Sequence, residues 1–463
     1  MFLHTDTWPS TLPCRANEYS TAGEFAALRY ESMNLVIVLF VVAALLAADQ
    51  ALRNPAYFVV FLLAAGTLRF GTDLGEGNVA ASDLSAVWLL CLIALSGVAL
   101  LQSGAFDGKR SPPEIAYACF LAWCLFEALR ADTGMFAWRV FLKLLYPLLV
   151  MILARNGGSS LPIAEFALKR TLAATAIVFV FVGGFTCRFA GSLVALYAPL
   201  FWAYAAFADH AAILTLLALS CWRLTKTPRY LALSVALGTS SVFNLTRTGV
   251  CATAVGVSIF ALLEWRHRAL PFILVAFLGG MLALVTVPEF RNRMFHDSKG
   301  SAAANNSNAV GLSNIDSSGR FSLWERVLNK FFWPNPLVGS GLGSTQQYLY
   351  NSPNEPVKVE HSEYVRLLSD VGIIGLGLYL AALFTAMASA WRVYRSAPSS
   401  LARYFAMAAF SSIPAYLVCM GFDNVLNYVL AAGQYPLAFS GIAIGLGERR
   451  TLVPGVVSGN VVF

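Results

Sequence analysis

Apolar runs separated by short polar breaks cover almost the whole chain, at roughly 34–48, 55–68, 85–103, 114–129, 138–154, 166–186, 193–222, 229–244, 248–264, 269–287, 368–391, 402–421 and 427–446. A helix that crosses a bilayer needs about 20 mainly apolar residues, and most of these runs approach that length. The buried and lipid-facing sides of such helices are both apolar, so periodicity does not separate them; length and flanking residues carry the prediction. The stretch 193–222 is too long for one span and contains Pro199, so it reads as a short interfacial or re-entrant piece followed by a helix. The pattern predicts an all-α polytopic membrane protein with about 12 (12–13) transmembrane helices. No internal repeat is evident.

One long interval breaks the pattern. From Pro288 to about Arg366 the chain is polar and carries eight basic residues: Arg291, Arg293, Lys299, Arg320, Arg326, Lys330, Lys358 and Arg366. Its first part, 298–319, is rich in Ser, Asn, Ala and Gly, the composition of a mobile loop. Its second part holds Phe321, Leu323, Trp324, Val327, Leu328, Phe331, Phe332 and Trp333, which predicts amphipathic helix lying against a membrane surface. Pro334 and Pro336 end that helix, and Gly339, Gly341 and Gly343 predict a flexible turn.

Composition agrees with the pattern. Apolar residues make up 58% and charged residues 12%, against roughly 25% charged in soluble domains, and the mean hydropathy is +0.65. One soluble globule and a disordered chain are both excluded. Lys and Arg number 32 against 25 acids, a net charge of +7. In a polytopic chain such an excess reflects topology first. No basic run of five or more residues occurs, so nucleic acid is not a predicted partner.

The positive-inside rule places the connections bearing Lys109/Arg110, Arg155, Lys169/Arg170, Arg223/Lys226/Arg229, Arg266/Arg268, Arg392/Arg395/Arg403 and Arg449/Arg450 in the cytoplasm. The alternate connections, with Asp73/Glu76/Asp83, Asp132, Arg188, Arg247 and Asp423, then face outward. Long loops escape the charge rule, and the short loops flanking 288–366 put that interval outside as well. The expected organisation is a polar N-terminal tail at 1–32, an N-terminal transmembrane bundle at 33–287, a periplasmic loop domain at 288–366, C-terminal transmembrane helices at 367–448 and a cytoplasmic tail at 449–463. Residues 1–32 lack the basic n-region of a signal peptide; they read as a tail or as a start-site extension ahead of Met33. Most of the eight cysteines lie in apolar stretches without metal-ligand spacing, so neither a disulfide framework nor a thiolate metal site is expected.

Four residues stand out chemically. His361, in VEHSEYVRLLSDVGIIGLGLYL, sits where the loop meets a predicted helix. Its ordinary pKa lets it accept a proton near neutral pH, although position alone favours a solvated loop histidine. His4, His210, His267 and His296 have no comparable place. Arg188 and Arg247 occupy short outward turns, FTCRFAGS and SVFNLTRTGV. Arginines at such depth either snorkel to headgroups or face a cavity and bind anions bidentately. Ser240, Ser241, Asn244, Thr246 and Thr248 surround Arg247 and give it a polar mouth. Arg320 opens GRFSLWERVLNKFF, either as a surface arginine at a helix start or as a third basic ligand. Lys143 and Arg139 lie within or near a span and are weaker candidates for a cavity. The outward acids Asp73, Glu76 and Asp83 form no D-x-D, and no P-loop, G-x-G-x-x-G, H-E-x-x-H or G-x-S-x-G occurs. A nucleotide-driven pump is therefore poorly supported, and no metal or cofactor site is expected.

Four segments together resemble the O-antigen ligase and O-antigen polymerase superfamily of bacterial envelopes. LTRTG (245–249) resembles that family's Ser/Thr-Arg-Ser/Thr-Gly turn. GRFSLWERVLNKFFWPNPLVGSGLG (319–343) resembles its Gly-Arg…Trp…Pro…Gly-x-Gly stretch. HSEYVRLLSDVGIIGL (361–376) resembles its His…Leu…Gly-x-x-Gly-Leu stretch, and CRFAG (187–191) an upstream Arg-x-x-Gly turn. Where the family often carries Asn soon after the histidine, Ser362 and Glu363 stand here. The resemblance implies an inverting glycosyltransferase of the inner membrane, without a metal or other cofactor. The donor would be an undecaprenyl-diphosphate-linked glycan and the acceptor the lipid A-core oligosaccharide, both embedded among membrane lipids. It further implies His361 as the catalytic base and Arg188, Arg247 and Arg320 as diphosphate ligands. An O-antigen polymerase, with a second lipid-linked repeat as acceptor, shares this chemistry. A transporter of lipid-linked sugars is the rival from another class.

Overall fold

The computed structural model describes residues 54–68, 79–104, 109–178, 204–243, 246–271, 320–352 and 359–452, with isolated residues between 42 and 53 and between 273 and 278. The chain divides into two compact units, Met1–Leu46 and Ala47–Phe463. Scattered helical residues are described in the first, and the second carries every element named here. Among the described residues there are helices and no strands. In order they are α1 (Phe58–Leu68), α2 (Val79–Gln102), α3 (Pro112–Arg130), α4 (Met135–Gly158), α5 (Leu161–Val178), α6 (Tyr204–Thr225), α7 (Pro228–Phe243), α8 (Arg247–Trp265), α9 (Arg320–Val327), α10 (Ser344–Asn351), α11 (Glu363–Ser396), α12 (Ser400–Phe422) and α13 (Tyr435–Leu452).

Six of the described helical stretches are long and apolar enough to cross a membrane: Met135–Gly158, Phe207–Thr225, Arg247–Ala269, Glu363–Ser396, Ser400–Phe422 and Val429–Glu448. The apolar runs at 34–48 and 269–287 fall largely outside the described residues, as does 179–203. Polar residues start the helices where the sequence supplies caps. Ser362 Oγ accepts from Val365 N at the head of α11, and Ser399 Oγ accepts from Ala402 N at the head of α12. At α3 the Ser111 N–H donates to Glu114 Oε2 at 2.8 Å, ahead of the two prolines that begin the helix.

The stretch 429–446 is buried along its whole length and forms the middle of the bundle. Tyr379 and Tyr416 share a buried hydroxyl–hydroxyl bond of 2.9 Å between α11 and α12, and the Tyr117 hydroxyl donates to Leu144 O between α3 and α4. The two ends of the bundle differ. At one, Arg155 bridges Glu114 and Glu448, each at 2.8 Å, and reaches Lys109 O; Arg223 pairs with Glu264, and Tyr394 donates to Leu263 O. These residues belong to the basic connections assigned above to the cytoplasm. Gly256 of α8 packs on Ala415 of α12, and Cys251 lies within electrostatic reach of Cys419, so α8 and α12 run antiparallel. Arg247, at the start of α8, is therefore at the same end as Phe422, at the end of α12, and opposite the basic end.

The amphipathic segment differs from its sequence expectation. Leu323 and Val327 of α9 are buried, and they pack with Leu349 of α10 and Val365 of α11, flanked by Trp324, Leu328, Phe331 and Tyr348. Its apolar face thus closes a small protein core of its own, leaving Phe321 and Trp333 exposed. A π-helical turn at Leu328–Phe332 precedes the prolines.

Candidate active site

The site is built on a broken helix. Inside α11, Gly372 has φ 68° and ψ −172°, a conformation essentially restricted to glycine. The backbone groups that the break frees are taken up by residues 336–341. Pro336 O accepts from Ile373 N at 2.9 Å and Leu337 O from Ile374 N at 3.2 Å, while Ser340 N donates to Ser369 O and Gly341 N to Asp370 O. Irregular backbone beside an apolar helix requires this kind of satisfaction. The approach leaves no room for side chains: a Cβ on Gly339 would lie 2.6 Å from Asp370 C, and one on Gly372 2.6 Å from Val338 N.

The glycine-rich turn predicted to be flexible is therefore pinned. Asp370 accepts from Gly343 N at 2.9 Å, Thr345 N at 3.0 Å and the Thr345 hydroxyl at 2.9 Å, which fixes the head of α10. From the other side Arg130 Nη2 donates to Gly339 O and the Thr133 hydroxyl to Leu342 O, each at 2.8 Å. Trp123 Nε1 donates to Val371 O at 3.0 Å.

His361 precedes α11 with φ 53°, a left-handed conformation that strains a non-glycine residue by about 1–3 kcal/mol. The strain is held by the turn after α12: the His361 N–H donates to Asn424 Oδ1 at 3.0 Å. That turn also faces the ring. Asn424 Nδ2 lies 3.4 Å from His361 Nδ1, and Asp423 Oδ1 lies 3.9 Å from the same nitrogen. Asp423 is itself set by the Asn424 N–H at 2.7 Å. The imidazole keeps 29% exposure, whereas Asp423 and Asn424 are buried. Behind them Asp209 of α6 is fully buried next to Cys419 and Asp423, and its carboxylate oxygens meet no N–H or O–H donor among the described residues.

Arg320 reaches the same turn, with Nη1 donating to Phe422 O at 2.6 Å. One helical turn further along α9, Trp324 Nε1 donates to Glu360 O at 2.7 Å. Helix α9 is thus tied both to the residue before His361 and to the residue before Asp423, and two of the four sequence candidates come together. Arg247 is half-buried as the first residue of α8, at the same end of the bundle. Arg188 lies outside the described residues, as do Asp73 and Glu76 and the side chain of Asp83.

Two acids near His361, Glu363 and Asp370, have structural work. Glu363 is fully buried and accepts from Leu426 N at 2.9 Å; Asp370 is spent on the 343–345 turn. Among the described residues no group of three His, Cys, Asp or Glu side chains could hold a metal ion. The partners that sequence reasoning missed are Asp423, Asn424 and Trp324. Asp423 was read only as an acid in an outward connection, and Trp324 only as part of an apolar face. At the position where the resemblance departs, Ser362 caps α11.

No curated protein matches the chain. Residues 231–380 match the family described as O-Antigen ligase, a span that contains Arg247, the pinned 336–343 turn, Arg320 and His361. That span, which holds the break in α11 and three of the four candidate residues, is what ties this chain to the O-antigen ligase family, whose members are membrane glycosyltransferase-type enzymes.

Proposed function

We propose that the chain is an inverting glycosyltransferase that moves O-antigen from undecaprenyl diphosphate to lipid A-core oligosaccharide at the periplasmic face of the inner membrane. The observation that carries the reading is the convergence on one turn: Arg320 on Phe422 O and His361 on Asn424, with Asp423 between them. In the proposed step an acceptor hydroxyl attacks the anomeric carbon as His361 takes its proton. The bond from that carbon to the diphosphate breaks, and the single displacement inverts the centre. A proton on His361 Nδ1, turned toward Asp423, leaves Nε2 as the base; the carboxylate then stabilises the imidazolium as it forms. The alternative tautomer, with Asn424 Nδ2 donating to Nδ1, puts the ring proton on Nε2 and is not competent.

The leaving diphosphate needs fixed positive charge. Arg247 is the first residue of α8, directly after Thr246, where the dipole and the outward-facing amides already favour an anion; a cation there opposes the dipole, so helix stability does not account for it. Arg320 stands on α9 beside the same turn, where it holds Phe422 O. Arg188 completes the set. A defined-donor transfer assay with purified protein tests the reading by offering lipid A-core and a second lipid-linked repeat in separate reactions. Product on lipid A-core alone is expected. Product only on the lipid-linked repeat would make the chain a polymerase, and donor crossing sealed vesicles without bond formation would make it a transporter.

A further inference from the structure

Beneath the 423–428 turn lies a charged cluster that the proposed chemistry leaves unused. Arg366, counted in sequence among the basic residues of the polar interval, is 1% exposed and the largest fully buried side chain described. Its Nη1 lies 3.4 Å from Glu363 Oε2 and 3.3 Å from Asn427 Oδ1. The same Asn427 oxygen accepts from Lys143 Nζ at 2.9 Å, and Lys143 projects from the middle of α4, inside a candidate span. Glu363 in turn holds Leu426 N. Helix α4 and the first turn of α11 therefore grip residues 426 and 427 together. That grip passes directly to the site, because the Asn427 N–H donates to Asn424 O at 2.9 Å, and Asn424 holds His361.

Ionic groups in a bundle core are costly, and apolar residues of similar volume usually pack there at least as stably. Bundle stability alone is thus a poor reason for this cluster. We propose that Lys143, Asn427 and the Arg366–Glu363 pair are positioning residues for His361. They fix the 423–428 turn so that Asn424 and Asp423 meet the histidine. The inference rests on His361 acting as the base, and it assigns Lys143 no contact with substrate.

The test uses the full-length chain in nanodiscs with the lipid-linked donor and lipid A-core, comparing Lys143→Met, Lys143→Arg and Asn427→Leu alone and in a His361→Ala background. Misplacing a catalytic group costs about 10- to 100-fold in rate. Lys143→Met and Asn427→Leu should each lose that much kcat with donor KM unchanged, and Lys143→Arg should restore most of it. In the His361→Ala background neither substitution should slow the residual rate further. An equal fold-loss in both backgrounds would make the cluster merely structural, and a raised donor KM would make Lys143 a substrate ligand; either overturns the inference. Wild-type turnover by Lys143→Met and Asn427→Leu, with His361→Ala inactive, overturns the clamp alone. Wild-type turnover by His361→Ala overturns the clamp and the base together.

Discussion

Replacing Gly372 by Ala tests whether the break in α11 organises the site. At φ 68° and ψ −172° an alanine is strained by about 1–3 kcal/mol. Its Cβ would also meet Val338 N at 2.6 Å and stand closer still to Leu337 O. Relief requires residues 337 and 338 to withdraw, which breaks the bonds from Ile373 N to Pro336 O and from Ile374 N to Leu337 O. Each is worth about 1 kcal/mol net, so the total loss is about 3–5 kcal/mol. Gly377 provides the control: it lies in the same helix, and a Cβ there meets nothing within 4 Å, so Gly377→Ala should be neutral or gain up to about 1 kcal/mol from helix propensity. Reversible unfolding in mixed micelles, titrated with SDS, gives both differences in one series. If Gly372→Ala lost less than about 1 kcal/mol relative to Gly377→Ala, the 336–341 segment would not be locked to the break as described.

Three further outcomes are expected. Asp423→Asn keeps a side chain of the same size but removes the charge 3.9 Å from His361 Nδ1, and should lower kcat by about 10- to 100-fold with little change in donor KM; an unchanged kcat would remove Asp423 from the mechanism. Arg247→Ala and Arg320→Ala should weaken binding of undecaprenyl diphosphate in a direct titration, with Lys restoring only part because it lacks the bidentate fork; full recovery by Lys would show that point charge suffices. Transfer should survive excess EDTA, and Asp73→Ala, Glu76→Ala and Asp83→Ala should each retain most activity; loss with EDTA and return with Mg²⁺ would move the chemistry toward an ion held by carboxylates.

The membrane-spanning character was legible because length and apolarity suffice for it. The break at Gly372 was not, because a glycine in an apolar run marks a bulge, a packing contact or a kink equally well. Only the docking of 336–341 distinguishes them. His361 and Arg320 were legible from local context and resemblance, whereas Asn424 and Asp423 were not. Asn424 lies 63 residues further along the chain than His361, and nothing local ties an outward acidic turn to a histidine. Arg366 was counted only among the basic residues of the polar interval; its three-residue spacing from Glu363 puts both side chains on one helical face, and burial turns them into an internal pair. Likewise the aromatic run 321–333 signalled an amphipathic helix and was read as facing a membrane surface, whereas its Leu323 and Val327 pack on protein; amphipathicity alone does not distinguish the two coverings.

The account stands on His361 as the base, and the most direct measurement is single-turnover transfer by purified His361→Ala and wild-type protein with a defined lipid-linked donor, at saturating acceptor. The account predicts a fall of at least about 100-fold in the chemical step, with undecaprenyl diphosphate binding and the unfolding midpoint unchanged. Turnover within a few-fold of wild type would contradict it, leaving the imidazole as a bystander in a strained loop.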